Sequence, residues 1–271
     1  MAQESMSAMP LVKAHAYGND FLLVGTDALP RGVDVAGVAR RVCHRHHGIG
    51  ADGLMVMQQD GNELGTRLWN ADGSHSELSG NGLRCVGAWL ARERGLESGQ
   101  SVVIGTEAGP KTLDLLEVAG PRFTFRAAMG QPEDLRRETL DVKGGAVEVV
   151  VLRVGNPQCV VLGPVTVERL DTLGGALATH SFFPEGTNVE LAEVEGPDQV
   201  RVLIWERGVG PTTASGTGAC AAAVAAAAFG GAGRVVDVTS PGGTQHVEWT
   251  DRGIWLTGWA ELVGSVGWWS L

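Results

Sequence analysis

With 271 residues, 44% of them hydrophobic and 19% charged, the chain carries enough apolar material for a packed core and too little charge for a disordered one. Its length suits two domains of about 130 residues better than one. The net charge of −10 argues against nucleic acid as a partner, because phosphate binding calls for a basic face. No apolar run reaches the ~18–20 residues of a membrane span, so no membrane partner is expected.

The opening MAQESMSAMP has no basic segment followed by an apolar one, so no secretory signal is expected and the expected location is cytoplasmic. Beyond it, period-two patterns dominate. DFLLVGTD, RLWNAD, SVVIGTEAG, RFTFRA, AVEVVVLRV, QCVVLG, QVRVLIWERG, RVVDVTS and HVEWTD are short, rich in β-branched residues and bounded by turns, and each predicts a strand. The basic cluster ARRVCHRHHG (39–48) reads as a solvated helix face, and its histidines are too compactly spaced for a tetrahedral zinc set. Two helices are predicted, NGLRCVGAWLARERG (81–95) and TGACAAAVAAAAFGG (217–231). Alanine on nearly every side of the second predicts a helix wrapped by a sheet. MGQPEDLRRE (129–138) reads as a loop between domains, and Trp268 and Trp269 as the cover of an apolar face. Cys43, Cys85, Cys159 and Cys220 lack paired spacing and read as reduced, buried thiols.

The chain also repeats itself. A shift of 136 carries Trp69 onto Trp205, Ser79 onto Ser215, Gly80 onto Gly216 and Gly82 onto Gly218. A shift of 137 lays YGND (17–20) over VGNP (154–157), and one of 134 lays IGTEAG (104–109) over VTSPGG (238–243). Three matches in one order imply two homologous halves, 1–130 and 131–271, with the last strand free to return to the first half. The expected fold is α+β: two pseudo-symmetric halves, each a curled, mostly antiparallel sheet around a central helix. A ligand cleft is expected between them.

The repeated SGNG and SGTG open the two helices. A helix N-terminus presents unpaired N–H groups and the positive end of the macrodipole, and glycine allows a ligand to approach the backbone closely. Gly80, Asn81, Gly216 and Thr217 are therefore expected to line two anion sites for a carboxylate or an oxyanion. Asn19, Asn70, Asn156 and Asn188 flank strand-like runs and fit a surrounding ligand shell. Arg207 can clamp a carboxylate, and Glu206 can move a proton.

Seven segments, HAYGNDF, RHHGIGADG, WNADGSHSELSGNGLRC, VGNPQCVV, FFPEGTNVE, WERGVGPTTASGTGACAAA and SPGG, occur in the order found in diaminopimelate epimerases, and the chain resembles that family over roughly residues 11–262. The resemblance implies the same two-half fold, and activity without pyridoxal phosphate, metal or other cofactor. In the family two cysteines straddle the substrate α-carbon, one taking the α-proton and the other delivering one to the opposite face. The matching positions here are Ser79 and Ser215. A thiol of ordinary pKa ~8.5 can be tuned to a thiolate, whereas a serine hydroxyl reacts only when another group takes its proton.

Further departures follow. Gln158 stands where the family has histidine, Pro211 where it has glutamate, and Gly53 where it tends to have glutamine. His75 replaces an acidic residue four positions before Ser79, where it could serve as that serine's base or lie on the surface. The reading is a repurposed member of the family, with Ser79, Ser215 and Glu206 as its reacting groups. It would be an isomerase or cyclase of specialised metabolism acting on a small carboxylate-bearing molecule. Two alternatives stand beside it: an amino-acid epimerase trapped as a Cys-to-Ser variant, which Gln158 and Gly53 argue against, and a non-catalytic amino-acid-binding protein. A dehydratase needing only one proton-transfer residue is a further option. The oligomeric state is open, with a homodimer among the assemblies to test.

Overall fold

A computed structural model describes residues 8–61, 63–76, 80–107, 109–142 and 145–269. The chain divides into two units, Met1–Phe125 with Trp259–Leu271, and Arg126–Gly258. In the first, β1 (Met9–Ala16) and β2 (Asn19–Gly25) form an antiparallel hairpin. Both turn residues, Tyr17 and Gly18, have positive φ (55° and 88°), as the tightest hairpin turns require. An aromatic residue tolerates that conformation poorly, and tertiary contacts hold it: the Tyr17 ring lies 4.4 Å from that of Trp259, and its hydroxyl accepts the Trp259 N–H at 3.2 Å.

The chain then crosses through α1 (Val35–Val42) to β3 (Gly53–Asp60), parallel to β2. Antiparallel pairing adds β4 (Glu63–Asn70) and the short β5 (His75–Ser76). A second crossover, α2 (Gly80–Glu93), leads to β6 (Ser101–Thr106), parallel to β4, and β7 (Gly109–Ala119) folds back on β6. β8 (Arg122–Gly130) starts in this unit and ends in the second.

The second unit repeats the plan. β9 (Glu133–Val142) borders β10 (Gly145–Val154), which pairs with β11 (Asn156–Leu162). α3 (Val167–Ala178) crosses to β12 (Asn188–Gly196), parallel to β11, and β13 (Gln199–Glu206) and β14 (Gly210–Thr212) follow antiparallel. α4 (Gly216–Ala225) crosses to β15 (Val235–Ser240), parallel to β13, with β16 (Gly243–Thr250) beside it. β17 (Gly253–Trp268) pairs first with β16, and its end returns to pair with β1 in the first unit. The two units thus share one sequence of antiparallel pairs and helical crossovers, the topology that the internal repeat implies.

In each unit one helix lies inside the curl and one outside. α4 packs against β10, β11, β12, β13, β15 and β16, and every residue in it except Thr217 is buried. Its alanines meet Val150, Leu152, Val160, Val202, Val236 and Val247. Only small side chains let a helix thread so narrow a space at interior packing density. α3 covers the opposite face of β12 and β13.

Several sequence expectations are corrected. There are four α-helices among the described residues, not two. α3 was hidden by its Gly174–Gly175 pair, which reads as a turn; both glycines lie on the indole of Trp205, where a Cβ would come within 2.7 and 3.3 Å. α1 ends at Val42, so most of the basic cluster lies beyond it. The segment 129–138 is not a loop: β8 and β9 leave only residues 131–132 between them. Its charges suit an exposed strand. α4 ends at Ala225 and widens into a π-helical turn, Ala226–Gly230, closed by Gly231 at φ 84°. Trp268 is buried on the α1 cluster with Arg41 over its ring, but Trp269 is exposed.

If α4 has no spare room, Ala222→Leu should overpack its surroundings and destabilise the protein by about 1–3 kcal/mol. The urea unfolding midpoint measures this, and an unchanged midpoint would mean that the sheet yields around the helix.

Candidate functional site

In the first unit the functional groups gather where β2 starts and α2 begins. Asn19, the first residue of β2, donates to Asp52 Oδ2 at 2.8 Å. The buried Asn81 reaches Asn19 Oδ1 at 3.4 Å and accepts a 2.5 Å hydrogen bond from the buried Arg84, which also stacks over the Tyr17 ring. Asn19 and Asn81 are therefore brought together. Ser79 lies outside the described residues; α2 is described from Gly80 onward.

Beside Asn19 sits an ionic network. Asp20 meets Lys13 at 2.9 Å and Arg45 at 2.8 Å, and Arg45 also meets Asp52 at 2.7 Å. Lys13 donates further to the Gly50 carbonyl. Burial pulls the Asp20 carboxyl upward, but the hydrogen bonds from Arg45 and Lys13 outweigh it and hold the group below the usual carboxylate range.

In the second unit Ser215 is the N-cap of α4, with extended backbone and its Oγ accepting the Gly218 N–H at 3.2 Å. Thr217 Oγ1 lies 3.4 Å from the same oxygen. These two are the hydrogen-bond partners of the hydroxyl among the described residues. The buried Gln245 donates to the Ser215 carbonyl and fixes the turn from the other side. Gly216 is buried in that turn.

Gln158 is fully buried and donates to Asn156 Oδ1 at 2.6 Å, while its own Oε1 has no partner among the described residues. Asn188 accepts the Arg207 backbone N–H at 2.9 Å. Register places Gln158, Asn188 and Glu206 side by side on adjacent strands, facing α4 with Val160, Val202 and Ile204. Arg207 itself is exposed, and its guanidinium donates to the Glu185 carbonyl at 2.8 Å, on the α3 side.

The remaining expected residues are spread out. The Asn70 side chain donates to Ser74 Oγ and secures the β4–β5 turn. His75 is exposed, 3.4 Å from Glu107 and stacked edge-on to Trp69. His44 accepts the N–H groups of His46 and His47, so the histidine cluster caps a turn. Gly53 is tightly enclosed, since a Cβ there would lie 2.9 Å from both Leu68 and the Trp69 carbonyl. All four cysteines are free and buried; burial pushes Cys43 and Cys85 up to about 12 and Cys159 higher still, so these three stay as packing thiols.

Sequence reasoning missed Arg84, the Asp20–Arg45–Lys13–Asp52 network and Glu190. Glu190, on β12, is completely buried, and neither carboxyl oxygen has a partner among the described residues. Its signal was an acidic residue in the alternating run NVELA, which normally marks a solvent face.

Comparison with known proteins gives the family and the fold. The family model for diaminopimelate epimerase matches residues 11–134 and 150–263. The chain is 40% identical to the diaminopimelate epimerase of Desulforudis audaxviator, over 96% of this chain and 99% of that one. It is 39% identical to that of Moorella thermoacetica, over 92% and 95%. Among solved structures, a predicted epimerase from Pseudomonas aeruginosa superposes with a TM-score of 0.73, covering 97% of this chain and 100% of that one at 16% identity, and so shares the fold.

The Asp20 network carries a pH signature. A carboxyl held below its unfolded value contributes stability above the unfolded pKa and loses it as pH falls through the folded one. Asp20→Asn should therefore be less stable than the parent at neutral pH, with the gap closing in acid. Urea midpoints from neutral to strongly acidic pH measure it; a gap independent of pH would contradict the ionic role.

Proposed function

The chain belongs to the diaminopimelate epimerase family, and we propose that within it this protein is a cofactor-independent isomerase or cyclase for a small carboxylate-bearing metabolite, working without thiol-based proton exchange. The carrying observation is the state of the Ser215 hydroxyl. Its partners are the Gly218 N–H and the Thr217 hydroxyl, and neither can take its proton. A serine so placed caps a helix and helps shape an anion-binding turn; it does not abstract a proton from carbon.

The neighbouring residues support the same reading. Gln158, at the position where the family resemblance expects histidine, is an amide that donates to Asn156 and has no basic nitrogen. The helix end still offers backbone N–H groups and a positive dipole to a substrate carboxylate. Asn156 and Asn188 supply polar contacts around it, and Asn19 and Asn81 form the counterpart at the α2 turn. Glu206 is the group best suited to move a proton, in a rearrangement or cyclisation that an oriented, desolvated ligand undergoes readily. The place for such a reaction is specialised metabolism.

One observation favours a second reading. Identity of 40% to a diaminopimelate epimerase over nearly the whole chain supports diaminopimelate itself as the ligand, with the two serines marking a disabled epimerase.

Deuterium wash-in from D2O, followed by mass spectrometry with L,L- and meso-diaminopimelate, separates the two. The protein as it stands should exchange no α-proton. Ser79→Cys/Ser215→Cys should restore little unless Gln158→His is added. Strong exchange in the double variant alone would identify a disabled diaminopimelate epimerase, and exchange by the unaltered protein would overturn the loss of proton-transfer chemistry.

A further inference from the structure

Over residues 188–192 β12 has no solvent face, because α3 covers one side and α4 the other. Glu190, in its middle, therefore has nowhere to expose a charge. Its cross-strand neighbours are Val160 on β11 and Ile204 on β13, with Glu206 diagonal to it. The carboxyl points at the first turn of α4: a Cβ built on Gly218 would lie 2.8 Å from Glu190 Oε1 and 3.3 Å from Ser215 Oγ. The acid and the capping hydroxyl thus converge on one glycine. No bond anchors either carboxyl oxygen among the described residues, and Gln158 Oε1, one row away, is likewise unpartnered.

Burial first, and the negative charge of Glu206 second, push Glu190 well above the ordinary carboxylate range. The site therefore favours its protonated form. The other titratable groups on the elements packed against it are Glu206 on β13, Cys159 on β11 and Cys220 on α4. Burial also raises Cys159, so it remains a thiol. Arg201 with Glu193 and Glu195 forms a separate ion-pair group at the far end of β12 and β13, and Arg207 is held by Glu185.

We infer that Glu190 is a positioning residue for anion binding: its proton keeps the floor of the α4 turn uncharged, and the turn accepts a ligand carboxylate only while that proton is held. The inference rests on the reading that the α4 N-terminus binds the carboxylate of the substrate. The helix end offers roughly half a positive charge. A full negative charge beneath Gly218 would cancel it and repel the ligand, whereas a neutral acid leaves it intact. Glu190 acts here through the turn and not by touching the ligand.

The test is calorimetric binding of meso-diaminopimelate across neutral to alkaline pH, for the parent protein and for Glu190→Gln, which mimics the protonated acid in shape. The parent should lose affinity by about tenfold per pH unit once Glu190 ionises, beyond any loss seen in the variant. Glu190→Gln should bind as tightly as the parent at neutral pH and keep that affinity. Parallel loss in both proteins would overturn the positioning role while leaving the proposed ligand class standing. Absence of binding by either at every pH would exclude diaminopimelate as the ligand and overturn the inference.

Urea midpoints of the same two proteins supply a ligand-free arm. A carboxyl whose folded pKa is raised contributes stability that is complete below the unfolded pKa and is lost as pH rises through the folded one. The parent should therefore fall progressively below Glu190→Gln as pH rises from acid. Coincident midpoints at all pH values would show that Glu190 is not held neutral and would overturn the inference independently of any ligand.

Discussion

The hydrogen bond from the Gly218 N–H to Ser215 Oγ, at the buried start of α4, is the contact on which the second unit turns. A helix that begins inside a sheet cannot leave its first N–H groups to water, so a side chain or a ligand must take them. Ser215 takes one. The glycines at 216 and 218 bring the backbone close to whatever occupies the rest, and the alanines beyond let the helix pass through the curl. A cap, a dipole and a lining without bulk come from the same few residues, which is why one short motif sets both the fold of this unit and its ligand chemistry.

The two units have kept one topology and diverged in electrostatics. At the start of β2, Lys13, Asp20, Arg45 and Asp52 form a partly exposed, charge-balanced network that holds Asn19 in place. At the start of β11 the corresponding position has no ion-pair network among the described residues: the buried Gln158 is an amide bonded to Asn156. Charge in the first unit is satisfied by partners; in the second, burial biases Glu190 toward its protonated form. Both solutions avoid an unpaired buried charge, the most costly state open to an acidic side chain.

Much of this was legible in the sequence because the repeat was. Trp69 over Trp205 and SGNG over SGTG set two halves in register, and the alanine-rich segment declared a helix enclosed on all sides. What stayed hidden did so for identifiable reasons. α3 contains two glycines that serve packing on Trp205, and glycine in a sequence speaks first of turns. β9 alternates charges on an exposed strand, a pattern shared with loops. Glu190 obeys the period-two rule for a half-exposed strand, and only the two helices covering β12 reveal that its polar side is interior. Asn70 and Arg207 were expected in a ligand shell, but their bonds to Ser74 and the Glu185 carbonyl depend on where loops pass, which the sequence does not show.

The central claim is that the α4 turn is built to hold an anion over a neutral floor. The most direct measurement is a carbon NMR titration of the Glu190 carboxyl, assigned by comparison with Glu190→Gln. The account predicts a protonated carboxyl at neutral pH that ionises only in alkaline solution. A Glu190 that titrates in the ordinary range of glutamate would contradict it.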